Sequence, residues 1–392
     1  MNEGHARRLR VLLAALAVAA HAALVWSAFR GLPRYSDEIH HMRQIDRFCG
    51  GDISVDPKLT TIPGYHALSA FVGRLLHDCS LPRMRAVNVV FGMMSVAVFF
   101  AAASASGVAH PVMRTLQYYF LPILLPYHFL VYTDTVALLA LLASVALLFR
   151  GRHTAAGVVG ALSVLLRQTN VVWLLLLCAL TLLEDGDRKK LRAFVPGLVV
   201  FLLFVAINGG VAMGDQRAHH AGLHLGNVFF LLFLFFLLFL PRNLAVLWAH
   251  RDRLQGGWLG AATAVVCVVF LLSFGVDHAY NRIPGFLRND LLLLLDERPL
   301  LKVAFFVPVA GALATLVVDR LRRGSFHALY AVALVSLLPV KLIDHRYDVT
   351  PLAFFLLFRR DDSPFVESLG LALSVVVSSF FLDGIARGAF AL

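Results

Sequence analysis

The sequence predicts an all-α polytopic membrane protein. Of its 392 residues, 59% are hydrophobic and only 15% are charged. A water-soluble chain of this length could not bury so much apolar surface, because too large a share of a folded protein's surface faces water. Long apolar runs separated by short polar connections give a second indication, since about 20 apolar residues cross a bilayer as a helix. We therefore predict about 12–14 transmembrane helices in a single integral membrane domain over residues 1–392.

The apolar runs, taken in order, define the predicted helices. The first follows a basic start and resembles a signal peptide, but it is long enough to span a bilayer and no clean cleavage site follows it, so we interpret it as a retained first span. Several of the later runs are shorter than ~20 residues, which predicts broken or fully buried helices among them. The predicted spans lie at residues 11–29, 86–107, 114–131, 135–149, 154–166, 171–183, 194–212, 227–248, 257–275, 301–318, 326–341, 349–358 and 366–385.

The basic residues indicate how the chain crosses the membrane. The formal net charge is +11, but Lys and Arg are dispersed in short clusters between apolar runs. That pattern is typical of a topology signal beside anionic lipid, and we predict membrane lipid but no nucleic acid as a partner. With the N-terminus in the cytoplasm, the cytoplasmic connections are short and basic, as the positive-inside rule requires. They lie at residues 150–153, 184–192, 250–255, 319–324 and 359–363.

The connections on the opposite side of the membrane carry mixed acids, bases, His, Tyr and Asn. They lie at residues 30–85, 132–134, 167–170, 214–224, 277–290 and 341–348. We therefore expect a functional site on that side. Residues 30–85 form its large first loop, in which Cys49 and Cys79 can pair if the compartment is oxidising, or remain as two thiols.

The stretch RYSDEIHHMRQIDRF, residues 34–48, predicts an interfacial amphipathic helix inside this loop. Ser36 is a suitable N-cap, and Asp37 and Glu38 then occupy the first turn, where the helix dipole favours negative charge. Helical spacing puts apolar and polar side chains on different sides, with the polar side facing the solvent. An acid beside basic groups is how an enzyme positions a general base, whereas the alternative is a helix that only anchors the loop.

Two further clusters bear on function. In GDQRAHHAGLH, His219 or His220 with His224 and Asp215 has a spacing that suits a metal, phosphate binding, or a solvated loop with no further role. In RQTN, Arg167 interrupts an apolar run and requires an anionic partner or a water-filled cavity. A lipid phosphate is one candidate, and a buried acid such as Asp134 is the other.

Taken together, these segments resemble a known family. SDEIHHMRQIDRFCGGD, DPKLTTIPGY, RMRAVNVVFG, RQTNVVW and GDQRAHHAGLH occur in the order found in the asparagine-linked glycosylation protein 10 family, and the likeness reappears at DHRYD. The resemblance implies a glycosyltransferase of the GT-C type in the endoplasmic reticulum membrane, with its site facing the lumen. It implies dolichyl phosphate glucose as donor and the diglucosylated lipid-linked oligosaccharide as acceptor. A β-linked donor giving an α-1,2 product implies inversion.

The residues fit the chemistry that this resemblance implies. A single displacement requires one base, for which Asp37 is the first choice and Glu38 the second. Fixed positive charge can stabilise the departing monophosphate, so we predict neither a metal nor another cofactor. The predicted substrate contacts are His41, Arg167, Gln168, Asn170, Asp215, His219, His220, His224, His278, Arg346 and Tyr347.

The second half of the chain departs from the family pattern. Residues 277–290, DHAYNRIPGFLRND, keep His278 but change its surroundings, and the usual Glu-Pro-Arg-Tyr is replaced by residues 344–347, DHRY. Three alternatives stay open from the sequence: a mannosyltransferase of the GT-C type, a lipid transporter or scramblase, and a non-catalytic assembly factor. A transporter would carry its charges across the bilayer, whereas here they concentrate on one side.

Overall fold

The structure, a computed structural model, describes residues 3–214 and 222–392, except for the side chains of residues 3, 4, 6, 7 and 259. Within these residues the regular structure is helical, apart from one isolated β-bridge between Phe286 and Ala391. The predicted all-α class is therefore confirmed. The helices are α1 Glu3–Phe29, α2 Glu38–Cys49, α3 Gly64–Leu75, α4 Leu81–Ser106, α5 Pro111–Tyr119, α6 Thr133–Leu148, α7 His153–Leu166, α8 Val171–Asp185, α9 Val195–Asn208, α10 Gly226–Leu238, α11 Leu240–Ala249, α12 Arg251–Leu254, α13 Gly257–Ser273, α14 Leu287–Glu297, α15 Pro299–Val318, α16 Ala328–Leu337, α17 Val349–Phe358 and α18 Pro364–Ala386.

Several of these helices can cross a membrane. In the described part of the chain, six helical segments are long and apolar enough, and a bent pair would make a seventh. Four shorter apolar helices of 10–17 residues accompany them. The polytopic prediction is thus confirmed, and short apolar helices are present as the run lengths indicated.

Two predicted spans are broken, and proline explains the first break. The span predicted at 227–248 is the pair α10 and α11, which are bent by 87° at residue 239. Pro241 lies in the first turn of α11 and has no N–H with which to continue α10. The Asn243 amide donates to the carbonyls of Phe235 and Phe236 (both 3.1 Å), which replaces hydrogen bonds lost at the break. The span predicted at 114–131 instead ends as α5 at Tyr119 and continues as a 3-10 turn at Leu125–His128.

Two compact units make up the chain. The described part of unit 1 covers residues 3–120 and 124–214, and that of unit 2 covers residues 121–123 and 222–392. Each is described by itself below, and a single integral membrane domain stays a prediction.

The predicted interfacial helix is present in unit 1 as α2, but its start and its surroundings differ from expectation. Ser36 is not the N-cap: its φ is +44°, in the left-handed region, and Asp37 takes the N-cap position. Met42 and Ile45 are buried against Tyr65 of α3 and Met84 of α4. A disulfide between Cys49 and Cys79 joins the end of α2 to the residues before α4. The thiol pairing that the sequence left open is therefore formed.

In unit 2, two connections predicted to be only topology signals hold buried ion pairs. Arg242 contacts Asp319 (2.7 Å) and Asp362 (3.1 Å), and Arg359 contacts Glu367 (2.6 Å). The side chains of Arg242, Arg359 and Glu367 are 3–5% exposed. These residues come from α11, α18 and the connections 319–324 and 359–363, so the network fastens these elements together.

Candidate functional site

The first predicted base, Asp37, lies at the start of α2 in unit 1 and is partly exposed. Its backbone N–H donates to the hydroxyl oxygen of the buried Tyr132 (3.1 Å). Its carboxylate makes no capping bond to its own helix. The residue before it, Ser36, has a strained left-handed backbone, and such strain concentrates at functional sites.

The second predicted base, Glu38, is fully buried and occupied by structural contacts. Arg85 of α4 donates to both of its carboxylate oxygens, at 3.0 Å from Nε and 2.5 Å from Nη2. The backbone N–H groups of Tyr35 (2.8 Å) and Val131 (2.7 Å) donate to the same carboxylate. Arg85 also donates to the carbonyl of Phe29 (2.6 Å). Glu38 therefore fixes the entry to α2 against two other segments, and this geometry favours Asp37 over Glu38 as a base.

His41 follows Asp37 by one helical turn and is buried. Its Nδ1 lies 2.9 Å from Nε2 of His66, a fully buried residue of α3. The His41 ring meets the Tyr132 ring edge to face, with centroids 5.3 Å apart. Burial and the neighbouring His41 hold the pKa of His66 well below its usual value. A residue that the sequence interpretation missed, His66, thus joins the predicted site.

The polar side of α2 is covered, contrary to the prediction that it faces solvent. The amide of Gln44, which is fully buried, donates to the Ser54 carbonyl (3.0 Å) and accepts from the Asp56 backbone N–H (2.7 Å). The loop folds back over α2 because the buried amide of Gln44 satisfies two of the loop's backbone groups. The helix therefore forms a wall of unit 1, with only its first turn and its outer side open.

Arg167 is paired with Asp134, as the sequence interpretation allowed. The two side chains form a short ion pair, in which Asp134 is 3% and Arg167 17% exposed. Gln168 donates to the carbonyls of Thr60 (2.9 Å) and Val211 (3.1 Å), so it holds two loops. Asn170 donates to the Ser163 carbonyl (3.2 Å). Gln168 and Asn170 thus have structural contacts, whereas Arg167 keeps a partly open guanidinium.

Unit 2 holds a second cluster around Asp344. This fully buried carboxylate contacts Arg288 (3.2 Å), Arg346 (3.0 Å) and His345 (3.4 Å). Burial alone would raise the pKa of Asp344, but the adjacent Arg288 and Arg346 lower it well below its usual range. Asp348, also fully buried, has no hydrogen-bond partner at either carboxylate oxygen. Burial and the charge of Asp344 raise its pKa well above the usual range.

Three buried asparagines of unit 2 hold the segment that carries this cluster. Asn227 donates to the carbonyls of Val340 and Leu342 (both 2.9 Å) and accepts from the Asp344 N–H (3.1 Å). Asn281 donates to the Ile343 carbonyl (2.8 Å) and to Asn289 (3.1 Å). The sequence interpretation missed these residues, although an Asn at the start of an apolar helix is a polar group that must find a buried partner.

The remaining predicted residues have varied positions. His278 is buried and accepts from the Tyr280 N–H (3.1 Å), so its ring supports a turn of unit 2. His224 and Tyr347 are partly exposed. Asp215, His219 and His220 lie outside the described residues. Among the residues that the structure does describe, no group of three or more His, Cys, Asp or Glu side chains is arranged to hold a metal.

Comparisons with known proteins agree on one family. The model of the DIE2/ALG10 family matches residues 33–192 and 188–357. A Candida albicans protein is 23% identical, over 89% of this chain and 89% of its own length. A Rattus norvegicus protein is 24% identical, over 84% of this chain and 85% of its own length. Both relatives are named Dol-P-Glc:Glc(2)Man(9)GlcNAc(2)-PP-Dol alpha-1,2-glucosyltransferase.

Among solved structures, ArnT from Cupriavidus metallidurans bound to undecaprenyl phosphate shows a weaker likeness. It is 17% identical with a TM-score of 0.49, covering 95% of this chain and 77% of that one.

Proposed function

Because the chain belongs to the DIE2/ALG10 family, we propose that it transfers glucose from dolichyl phosphate glucose to the terminal glucose of the diglucosylated lipid-linked oligosaccharide. The product carries an α-1,2 bond and is the completed precursor for protein N-glycosylation. The observation that carries the proposal is the family match from residue 33 to residue 357, which includes the loop with Asp37 and the segment with Arg346.

Asp37 is the proposed general base. Glu38 is held by Arg85 and two backbone N–H groups, whereas Asp37 is partly exposed at the start of α2. The carboxylate of Asp37 takes the proton of the attacking sugar hydroxyl as that oxygen bonds to the anomeric carbon of the donor. The bond from this carbon to the phosphate oxygen breaks, and dolichyl phosphate leaves with the electron pair. One displacement inverts the anomeric centre.

Positive charge near the leaving group lowers the barrier to this step. In unit 1, Arg167 shares its charge with Asp134, and we assign it to orientation of the substrate. In unit 2, we propose Arg346 as a contact to a phosphate group because guanidinium groups bind phosphate in a bidentate manner. Its orientation is fixed by Asp344, which accepts from its Nε (3.1 Å) and Nη2 (3.0 Å).

We place the enzyme in the endoplasmic reticulum membrane with residues 30–85 in the lumen. The disulfide between Cys49 and Cys79 supports this orientation, because disulfides persist in an oxidising compartment and are rare in the cytosol. Both relatives are named for a dolichyl-linked donor and acceptor, and this also supports placement in the endoplasmic reticulum membrane.

Complementation of a host lacking the last glucosylation step tests the proposal. Wild-type protein should restore the terminal α-1,2-linked glucose on the lipid-linked oligosaccharide, scored by digestion and mass analysis of the released glycan. Asp37→Asn should lower the rate by about 100-fold or more, since a general base contributes ~10²–10⁴.

Asp46→Asn is the matched control, because Asp46 lies on the same helix in an exposed ion pair with Arg34 (3.0 Å). It should retain wild-type activity at equal protein level. An Asp37→Asn variant as active as wild type would exclude the proposed base and favour a non-catalytic role for the protein. If the wild-type protein elongated only an acceptor that ends in mannose, the proposed acceptor would be wrong.

A further inference from the structure

The buried histidine pair beside the proposed base is not explained by the reaction scheme above. His41 and His66 come from different helices, and Nδ1 of His41 lies 2.9 Å from Nε2 of His66. Both side chains are buried, at 7% and 0% exposed. Burying two imidazole groups is costly unless their polar atoms are paired, so this contact requires a reason.

The unsatisfied nitrogen of His66 indicates where the protons lie. Nδ1 of His66 is buried without a hydrogen-bond partner in the structure. Orphaned buried N–H groups are rarer than under-satisfied acceptors, so a bare lone pair at this nitrogen is the less costly state. A neutral imidazole carries one proton, which then resides on Nε2 of His66. From Nε2 it is donated to Nδ1 of His41.

This arrangement fixes the tautomer of His41. Its Nδ1 lone pair accepts from His66, so neutral His41 carries its own proton on Nε2, at the far side of the ring. Because its pKa is low, His66 itself stays neutral.

The positions of Asp37 and Tyr132 show that His41 lies next to the proposed base. His41 follows Asp37 by four residues along the helix, a spacing that brings side chains to the same face. Tyr132 contacts both residues: its hydroxyl oxygen accepts from the Asp37 N–H (3.1 Å), and its ring meets that of His41.

We propose that His66 is a positioning residue that locks His41 as a neutral Nε2–H donor beside Asp37. With Nδ1 of His41 occupied by His66, His41 cannot compete there with Asp37 for the hydroxyl proton, and its ring N–H lies at Nε2. The inference rests on the proposed function, and it adds a residue whose role is transmitted through another side chain.

Kinetics of His66 variants test this role in the full-length protein with dolichyl phosphate glucose and the diglucosylated acceptor. His66→Leu removes the donor and should lower kcat by about 10- to 100-fold, as loss of a partner that orients a functional imidazole does, with little change in the donor KM. His66→Gln places an amide N–H near the position of Nε2 and should restore most of kcat. A purely structural role predicts no such difference between two variants of equal thermal stability.

His128 provides a matched control in the same unit. It is also fully buried with one unpartnered ring nitrogen, but it contacts Thr135 (3.4 Å) and not the site. His128→Leu and His128→Gln should have the same kcat. Selective ¹⁵N labelling of histidine, with the His41 signal assigned by its loss in His41→Gln, should show a proton on Nε2 of His41.

Three results would overturn the inference: a His66→Leu kcat within about twofold of wild type, a His66→Gln variant as defective as His66→Leu, or a proton on Nδ1 of His41. If His66→Leu does not fold, the glutamine variant and the tautomer measurement decide. A wild-type enzyme without this glucosyltransferase activity would instead refute the proposed function. The tautomer measurement, which needs no substrate, would then still test the histidine pair.

Discussion

At the scale of single residues, two adjacent acids have opposite environments. Glu38 accepts four hydrogen bonds and pairs with Arg85 at 0% exposure, whereas Asp37 is partly exposed at the start of α2. Neighbouring helix positions point about 100° apart, so one side chain can enter the core while the next stays accessible. Environment, rather than residue type, assigns their roles.

The buried ion pair predicts a large stability loss in Glu38→Gln. This variant keeps the shape of the side chain but leaves the charge of Arg85 buried and uncompensated, which costs about 3–5 kcal/mol. Thermal unfolding of the detergent-solubilised protein should show the corresponding fall in midpoint.

The exposed pair of Arg34 and Asp46 is the comparison for this loss. Their side chains are 43% and 46% exposed, and exposed pairs contribute about 0–1 kcal/mol. Asp46→Asn should therefore unfold close to wild type. Equal midpoints for Glu38→Gln and Asp46→Asn would show that the ion pair of Glu38 does not hold unit 1 together.

At the scale of elements, the segment from residue 340 to residue 348 depends on groups supplied by other helices. Asn227 and Asn281 satisfy its backbone, and Arg288 contacts its carboxylate Asp344. Asp348 ends the segment with a buried carboxyl group that has no partner. The surroundings of Asp344 thus favour its charged form, whereas those of Asp348, four residues later, favour its neutral form.

These states predict opposite pH dependence of stability. The folded pKa of Asp344 is lowered, so its contribution is present above its unfolded value of about 4 and is lost as pH falls below it. The folded pKa of Asp348 is raised, so folded protein keeps a proton that the unfolded chain releases, and stability falls as pH rises above about 4. Asp348→Asn should remove that loss and gain stability relative to wild type between pH 5 and 8.

Asp344→Asn provides the contrasting variant, because it leaves two guanidinium groups without their carboxylate. It should lose about 3–5 kcal/mol at pH 7. Unfolding midpoints measured across this pH range test both statements. A relative stability of Asp348→Asn that does not increase with pH would show that the folded protein does not hold the extra proton.

At the scale of the whole molecule, sidedness underlies the functional proposal. The basic connections predicted on the cytoplasmic side and the disulfide of the first loop support one orientation through independent physics: lipid charge in one case and redox environment in the other. In this proposed orientation, the lumenal side holds residues 30–85 and 167–170, which carry Asp37 and Arg167.

Cysteine labelling in sealed microsomes tests this orientation. In a background with Cys178 and Cys267 replaced by Ser, Ile53→Cys should react with an impermeant maleimide only after permeabilisation. Ile53 is 88% exposed in the first loop. Arg188→Cys, in an exposed connection between α8 and α9, should react without permeabilisation. Labelling of both residues from the same side would contradict the orientation, and labelling of Ile53→Cys without permeabilisation would remove the proposed base from the lumen.

Much of the fold could be predicted because the bilayer constrains it. Apolar runs located most of the long helices, and the polar stretch at residues 34–48 located α2. The break between α10 and α11 was missed because the run at 227–248 is apolar on both sides of Pro241, Arg242 and Asn243. Of the candidate site, the sequence named Asp37 and His41, which stay predictions, and it offered the pairing of Arg167 with Asp134, which the structure contains. It did not name His66, since the contact of His66 with His41 spans 25 residues of sequence.

The sequence by itself determined the helical class, the membrane environment and the family, because hydrophobic content and ordered motifs are local properties that any fold of this chain must respect. Tertiary structure alone decided which polar groups are buried in structural contacts and which stay partly exposed. Glu38, Gln44 and Gln168 bind backbone groups or charges of other segments, whereas Asp37, adjacent to Glu38, stays partly exposed. The physical reason is that a buried polar group must be satisfied by whichever partner the packing brings to it.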